Sequence, residues 1–316
     1  MTRLIPSSRV FVAGHRGMVG SAIVRALQQA GCHELILRSR AELDLTDERA
    51  VRALITSERP DIVVLAAAKV GGIQANNSFP ADFIRDNLAI QSNVLNASLD
   101  AGVQRLLFMG SSCIYPRECP QPIRESYLLT GPLEPTNEAY AVAKIAGITT
   151  CRAFNRQHGT AYLPVMPCNL YGPNDNYHPT NSHVIPALLR RFHEAARRGD
   201  QEVVMWGTGQ PLREFLHADD LAAACLMLLR DTDEAELINV GAGADQSIRA
   251  IAELIAEIVG FGGTITHDLS KPDGTPRKIM DIERIRALGW QPSISLRDGL
   301  RGVYASLTSP GGLWAD

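Results

Sequence analysis

The chain lacks several features that would direct a reading elsewhere. No apolar run approaches the roughly 20 residues a helix needs to span a bilayer, and Met1 to Ser8 has no apolar core of the kind a secretion signal carries. Positive charge is not in excess: 31 Lys and Arg stand against 34 Asp and Glu, a formal charge of −3. No general basic field exists to hold nucleic acid. The six cysteines, Cys32, Cys113, Cys119, Cys151, Cys168 and Cys225, form no C-x-x-C pair. Neither a metal site nor a disulfide framework is expected from them. Internal repeats and low-complexity tracts are also missing. The expectation is a reduced, cytoplasmic protein with no membrane or nucleic-acid partner.

What is present is ordinary globular material. Of 316 residues 45% are hydrophobic and 21% charged, enough for a sizeable core. At about 150 residues per domain the length allows two domains. The first half alternates strand-like and helix-like segments. Strands are expected at Arg9–Ala13, Glu34–Leu37, Ile62–Ala68, Arg105–Met109 and Tyr162–Met166. Helices are expected at Val19–Ala30, from Thr46 onward, and at Ala81–Ala101 and Glu138–His158. Such alternation implies a parallel sheet with right-handed crossovers. After Pro173 the rhythm breaks into turns, a helix carrying Arg190, Arg191, Arg197 and Arg198, a helix at Asp219–Leu229, a strand at Glu236–Val240, a helix at Gln246–Val259 and a loop at Lys271–Lys278.

Between the first strand and the first helix stands Gly14-His15-Arg16-Gly17-Met18-Val19-Gly20. Glycines so spaced give a tight turn and bring backbone close to a pyrophosphate, which then rests on the helix N-terminus. An NAD site offers an acidic residue about 20 residues on, for the ribose 2′-hydroxyl. Here Arg38-Ser39-Arg40 occupies that place, and Arg16 lies inside the turn. Guanidinium groups there suit a 2′-phosphate, so NADP is expected rather than NAD.

Tyr140-Ala-Val-Ala-Lys144 places a phenol and an ammonium four residues apart on one helix face. A neighbouring ammonium is expected to pull the phenol's pKa down from about 10. Ser111 and Ser112 follow the fourth strand, at the sheet edge where ligands bind in open α/β folds. The fold class is therefore α/β: a Rossmann-type doubly wound parallel sheet with a smaller mixed α/β substrate domain. The expected division is 1–173 for the cofactor, with re-entrant segments around 211–240, and 174–210 with 241–316 for the substrate.

At these residues the chain resembles the extended short-chain dehydrogenase/reductase superfamily. Gly110-Ser-Ser-Cys-Ile-Tyr-Pro116, Leu133-Glu-Pro-Thr-Asn-Glu138, Ala143-Lys-Ile-Ala-Gly147 and Asn169-Leu-Tyr-Gly-Pro173 resemble the GDP-L-fucose synthase family more closely. So do Asn181-Ser-His-Val-Ile-Pro186, Arg213-Glu-Phe-Leu-His217 and Lys271-Pro-Asp-Gly-Thr-Pro-Arg-Lys278. The likeness runs from about residue 9 to residue 295. It implies an NADPH-dependent 3,5-epimerase and 4-reductase acting on GDP-4-keto-6-deoxy-D-mannose. Cys113 is the implied base and His183 the implied acid. Ser111 and Tyr140 would bind the C4 oxygen, and Lys144 the nicotinamide ribose. The implied cofactor set is Gly14 to Gly20, Arg40, Asp44, Leu45, Met109, Gly110, Ser111, Ser112, Tyr140, Lys144, Pro167, Asn169, Leu170 and His183.

For the nucleotide sugar the implied residues are Arg191, Trp206 and Arg213, with Lys271 and Asp273. Helices 81–101 and 138–158 usually build a dimer interface in this superfamily, so a homodimer is expected. Cys168 stands where relatives commonly carry Thr. Sibling readings remain open: a reductase on a dideoxy sugar such as a colitose precursor, one on a heptose, or an NADP-sensing protein without catalysis. A 4-epimerase uses no thiol base, and a dehydratase is expected to place an acidic pair where Ser112-Cys113-Ile114 stands.

Overall fold

A computed structural model describes residues 2–315 except Thr180 and Pro272, and only the backbone of Ile73. The elements run β1 (Val10–Ala13), α1 (Met18–Gln29), β2 (Leu35–Ile36), α2 (Glu48–Glu58), β3 (Ile62–Leu65), α3 (Ile73–Ser78), α4 (Pro80–Asp100), β4 (Arg105–Met109), α5 (Glu138–His158), β5 (Ala161–Pro167) and β6 (Asn169–Tyr171). They continue with α6 (Val184–Arg198), β7 (Glu202–Trp206), β8 (Leu212–His217), α7 (Ala218–Asp231), β9 (Ile238–Val240), β10 (Asp245–Ser247), α8 (Ile248–Val259), β11 (Thr264–Asp268), β12 (Arg277–Lys278), α9 (Glu283–Ala287) and α10 (Leu296–Thr308).

The doubly wound sheet is present. Six parallel strands stand in the order β2-β1-β3-β4-β5-β9. Every residue of β1, β3, β4 and β5 is buried, as continuous Val, Ile and Leu runs require when both faces are covered. Helices α1 and α7 pack together in one layer, and α2, α4 and α5 in another. The chain leaves β1 toward β2 on one side and returns to β3 on the other. That reversal opens a crevice at the strands' C-terminal ends, beside the glycine turn.

A second, smaller body is mixed. Strand β8 pairs with β10, β12 and β6, while β7 pairs with β11. Its core joins Tyr171, Ile185, Leu189, Phe192, Ile251, Ile255 and Leu300. On α6 the buried set Ile185, Leu188, Leu189 and Phe192 follows helical spacing, which leaves Arg191, Arg197 and Arg198 off the core face.

Several expected boundaries shift for local reasons. Strand β3 stops at Leu65 because its partner β1 ends at Ala13, and 66–68 turns to wall the crevice. Thr46 does not begin a helix: Asp44 accepts from its N–H (2.9 Å) and hydroxyl (2.8 Å) in a turn. Asp47 then caps α2, accepting from Arg49 and Ala50 N–H groups. The 271–278 loop ends as strand β12, because it runs beside β8.

The expected division also needs correction. Of the re-entrant stretch 211–240, α7 and β9 join the first body, but β8 belongs to the second sheet. Conversely Met280, Ile282, Ile285 and Trp290 pack into the first core. Buried Arg105 in β4 reinforces this, donating to the carbonyls of Leu228 (2.8 Å) and Glu234 (2.6 Å). Among the described residues no helix is long and apolar enough to cross a membrane.

Candidate active site

The crevice is a cavity of ≈ 880 Å³. It brings together all the cofactor candidates named from the sequence: Gly14 to Gly20, Arg40, Asp44, Leu45, Met109 to Ser112, Tyr140, Lys144, Pro167, Asn169, Leu170 and His183.

The glycine turn is shaped as a cradle. Gly14 has φ +88°, and a Cβ there would lie 2.7 Å from the Ala67 nitrogen. At Gly20 a Cβ would lie 2.1 Å from the Gly14 oxygen. Neither position admits a side chain. Gly17 opens α1 with no side-chain cap, so the helix N-terminus faces the turn uncapped. Buried His15 Nδ1 has no hydrogen-bond partner among the described residues. Arg16 and Arg40 are exposed at the rim, and among the described residues neither forms an ion pair. Arg38 is committed elsewhere: it donates to Glu58 (2.7 Å) and to the Leu37 carbonyl (3.0 Å). A dinucleotide diphosphate fits this cradle, and Arg16 and Arg40 are the cations left for a 2′-phosphate. The Asp44 carboxylate is held by Thr46, so it shapes the adenosine-side wall as a turn.

The other end holds the reactive groups. Strand β4 delivers Gly110 and Ser111, and a short 3₁₀ turn over Ser112–Ile114 carries Cys113 beneath them. The Cys113 Sγ lies 3.1 Å from Ser111 Oγ, and the residue is 8% exposed. Burial pushes the thiol up, opposed by the charges of Lys278 and Lys144 and by Ser111. Tyr140 is also pushed up, first by burial, then by Cys113, with the Ser111 hydroxyl opposing. The expected lowering of the phenol by Lys144 is therefore not what the site does. The ammonium instead donates to the Met109 carbonyl at 2.7 Å and stands over the Phe108 ring. Burial pushes Lys144 down to about 8.

His183 caps α6 without a side-chain hydrogen bond to its first turn. It lines the cavity while keeping an exposed surface, and partial desolvation by the surrounding walls lowers its pKa. The unperturbed site thus holds a thiol, a phenol and a neutral imidazole around one space.

Of the nucleotide-sugar candidates only Arg213 lines the cavity. It donates to the Thr275 carbonyl (2.6 Å), and burial lowers its pKa. Arg191 donates to the Val204 carbonyl (3.0 Å). Trp206 is 67% exposed with the Lys271 ammonium 5.6 Å above its ring. Asp273 accepts from the Thr208 N–H and hydroxyl, closing the β7–β8 turn. These four lie beyond the cavity, on the second body. Sequence reasoning missed Lys278, which pairs in register with Arg213 and faces the Cys113 thiol; its place at the end of the 271–278 motif was the available signal. It also missed Asp175 in the cavity wall, pushed up to about 6 by burial.

A glycine cradle at β1 with Ser, Tyr and Lys at the sheet's C-terminal edge defines a dinucleotide-dependent oxidoreductase of the short-chain type. Residues 10–241 match the model of the NAD dependent epimerase/dehydratase family. GDP-L-fucose synthase 1 of Arabidopsis thaliana is 60% identical over 298 residues, covering 94% of this chain and 92% of its own. The GDP-L-fucose synthase of Escherichia coli K12 is 57% identical, covering 94% and 95%. A solved GDP-L-fucose synthetase from Naegleria fowleri bound to NADP superposes with a TM-score of 0.88 at 27% identity, covering 96% and 94%. The chain belongs to the NAD dependent epimerase/dehydratase family, and within it to the GDP-L-fucose synthases.

Proposed function

We propose that this chain converts GDP-4-keto-6-deoxy-D-mannose to GDP-L-fucose, by epimerisation at C3 and C5 and then reduction at C4, with NADPH as reductant. The observation that carries the reading is the shared hydroxyl of Ser111. It contacts the Cys113 thiol and stands beside the Tyr140 phenol, so base and acid act on one carbonyl.

The C4 carbonyl acidifies the protons on C3 and C5. Cys113 and His183 rest as neutral thiol and neutral imidazole, so a proton passes from sulfur to ring before the first abstraction. Lys278 and Lys144 lessen the cost of the resulting thiolate. The thiolate takes the carbon-bound proton, and the electron pair moves onto the C4 oxygen as an enolate. Ser111 and Tyr140 donate hydrogen bonds to that oxygen. His183 returns a proton to the opposite face, and the cycle repeats at the second carbon. Bound NADPH supplies the hydride for C4. Tyr140, held neutral by burial, gives the oxygen its proton, while Lys144 holds the nicotinamide ribose. Arg213 binds the diphosphate, with Arg191, Trp206, Lys271 and Asp273 on the nucleotide side.

We assign the chain to the cytoplasm, since Cys113 acts only as a free thiol and all six cysteines are free. A homodimer through α4 and α5 is supported by their outer side chains, Val142 being 40% exposed and Ile84 and Leu88 half-buried. Analysis of products by NMR, after incubation with NADPH and a panel of GDP-4-keto sugars, tests the function. GDP-L-fucose is the expected product. Turnover of only a dideoxy sugar or a heptose would replace the reading with a sibling activity. Binding of NADPH without turnover of any sugar would make the chain a sensor.

A further inference from the structure

The mechanism above leaves unused a fully buried carboxylate. Glu214 sits in β8 between Arg213 and Phe215, which both line the cavity, and has no exposed surface. One carboxylate oxygen accepts from the Gly243 N–H at 2.7 Å, the other from the Met280 N–H at 2.9 Å. The Ala242 N–H and the Cys168 thiol face it as well. These backbone donors favour the carboxylate, although burial outweighs them and pushes its pKa up to about 7. Gly241 leaves room for it: a Cβ there would lie 2.4 Å from Glu214 Oε1. The Glu214 carbonyl in turn accepts from Asn169 Nδ2 at 3.0 Å.

These partners belong to separate segments. Gly241 to Gly243 follow β9, the last strand of the large sheet. Met280 stands two residues past Lys278, whose strand β12 pairs with β8 at Arg213. A single carboxylate therefore ties β8 to the edge of the large sheet and to the end of β12. We propose that Glu214 is a positioning residue, whose carboxylate fixes β8 and β12 against the 241–243 turn and so sets where the Arg213 guanidinium meets the substrate's diphosphate. The inference rests on the reading of the substrate as a GDP-sugar. An apolar residue of like volume would leave the Gly243 and Met280 N–H groups buried and unpaired.

Glu214→Gln keeps the volume but turns an amide against backbone donors. The KM for the GDP-4-keto sugar should rise about tenfold to a hundredfold, with the KM for NADPH changed less than about twofold. Gly241→Ala, which drives a Cβ toward Glu214, should give the same split with the carboxylate still present. Calorimetric titration of GDP into the wild type and both variants reads diphosphate affinity without turnover. Weaker GDP binding in the variants, alongside a wild type that ignores the GDP-4-keto sugar, would sink the functional reading and keep this inference. Equal losses for GDP and NADPH, or no loss for either, would overturn it. If Glu214→Gln does not fold, a folded Gly241→Ala with full GDP affinity overturns it alone.

Discussion

Replacing Cys113 by Ser isolates the proton-transfer half of the reaction. Cys113 is 8% exposed, and its sulfur lies 3.1 Å from Ser111 Oγ, so a hydroxyl can keep that hydrogen bond and the local fold. The chemistry is not kept. The ordinary thiol value is 9.0, whereas a hydroxyl ionises near the ~15.7 of water. A positioned general base contributes about 10² to 10⁴ in rate, equivalent to ~3 to 5 kcal/mol of barrier. The gap in acidity places this variant at the upper end. The assay is loss of the C3 and C5 proton signals in D₂O, beside NADPH consumption on the same sample. Exchange should fall about 10⁴-fold while reduction at C4 persists within about tenfold, since Ser111, Tyr140 and Lys144 are untouched. Because the reactive thiolate and imidazolium together hold the same protons as the resting thiol and imidazole, wild-type exchange should stay level across the neutral range. Exchange undiminished in the variant would show that Cys113 is not the base. A wild-type rate that climbs about tenfold per pH unit would show that the thiol proton leaves for solvent and not for His183.

Reduction should follow a different pH course. Lys144 keeps its ammonium below about 8 and loses it above, so NADPH oxidation should decline past that pH while exchange holds level. A single shared profile for both rates would refute the separate assignments. The same lowering makes the unfolded chain bind more protons between about 8 and 10.5, so this lysine's contribution to stability grows with pH there. Arg16→Ala with Arg40→Ala should raise the KM for NADPH at least about tenfold and that for NADH less than about twofold, with the NADPH effect weakened by added salt. Equal losses would remove the 2′-phosphate argument. Gly20→Ala should abolish tight NADPH binding and cost about 1–3 kcal/mol in thermal or denaturant unfolding; a folded variant with unaltered affinity would contradict the cradle.

The large sheet was legible because its strands are buried on both faces and read as unbroken apolar runs, as at Ile62–Leu65. Helix α5 was legible to the residue, Glu138–His158, since Gly159 at φ +69° stops it. The ends of β3 and β12 were not, because a strand's length is set by its neighbour and not by its own residues. The cofactor end was likewise visible, since glycines there are required by close backbone approach. The ionisation of Tyr140 was not legible: Lys144 does stand over its ring, 5.7 Å from the centroid, but burial by distant segments outweighs the ammonium. Glu214 was hidden because its partners, the N–H groups of Gly243 and Met280, lie outside its own strand and no local pattern marks them.

The position of β9 bears on how the chain is made. Strand β5 ends at Pro167, but the strand that covers its outer edge begins at Ile238. During synthesis the whole second body up to β8 must emerge before that edge is paired. Arg105 too waits for the carbonyls of Leu228 and Glu234. An unpaired, fully apolar strand edge is a template for joining another chain. Cutting the gene after residue 173 would therefore not yield a free cofactor-binding fragment, but one with an open sheet edge and a guanidinium that has lost the Leu228, Thr232 and Glu234 carbonyls. The two bodies alternate along the chain and share partners, so they are inherited, expressed and folded as one unit.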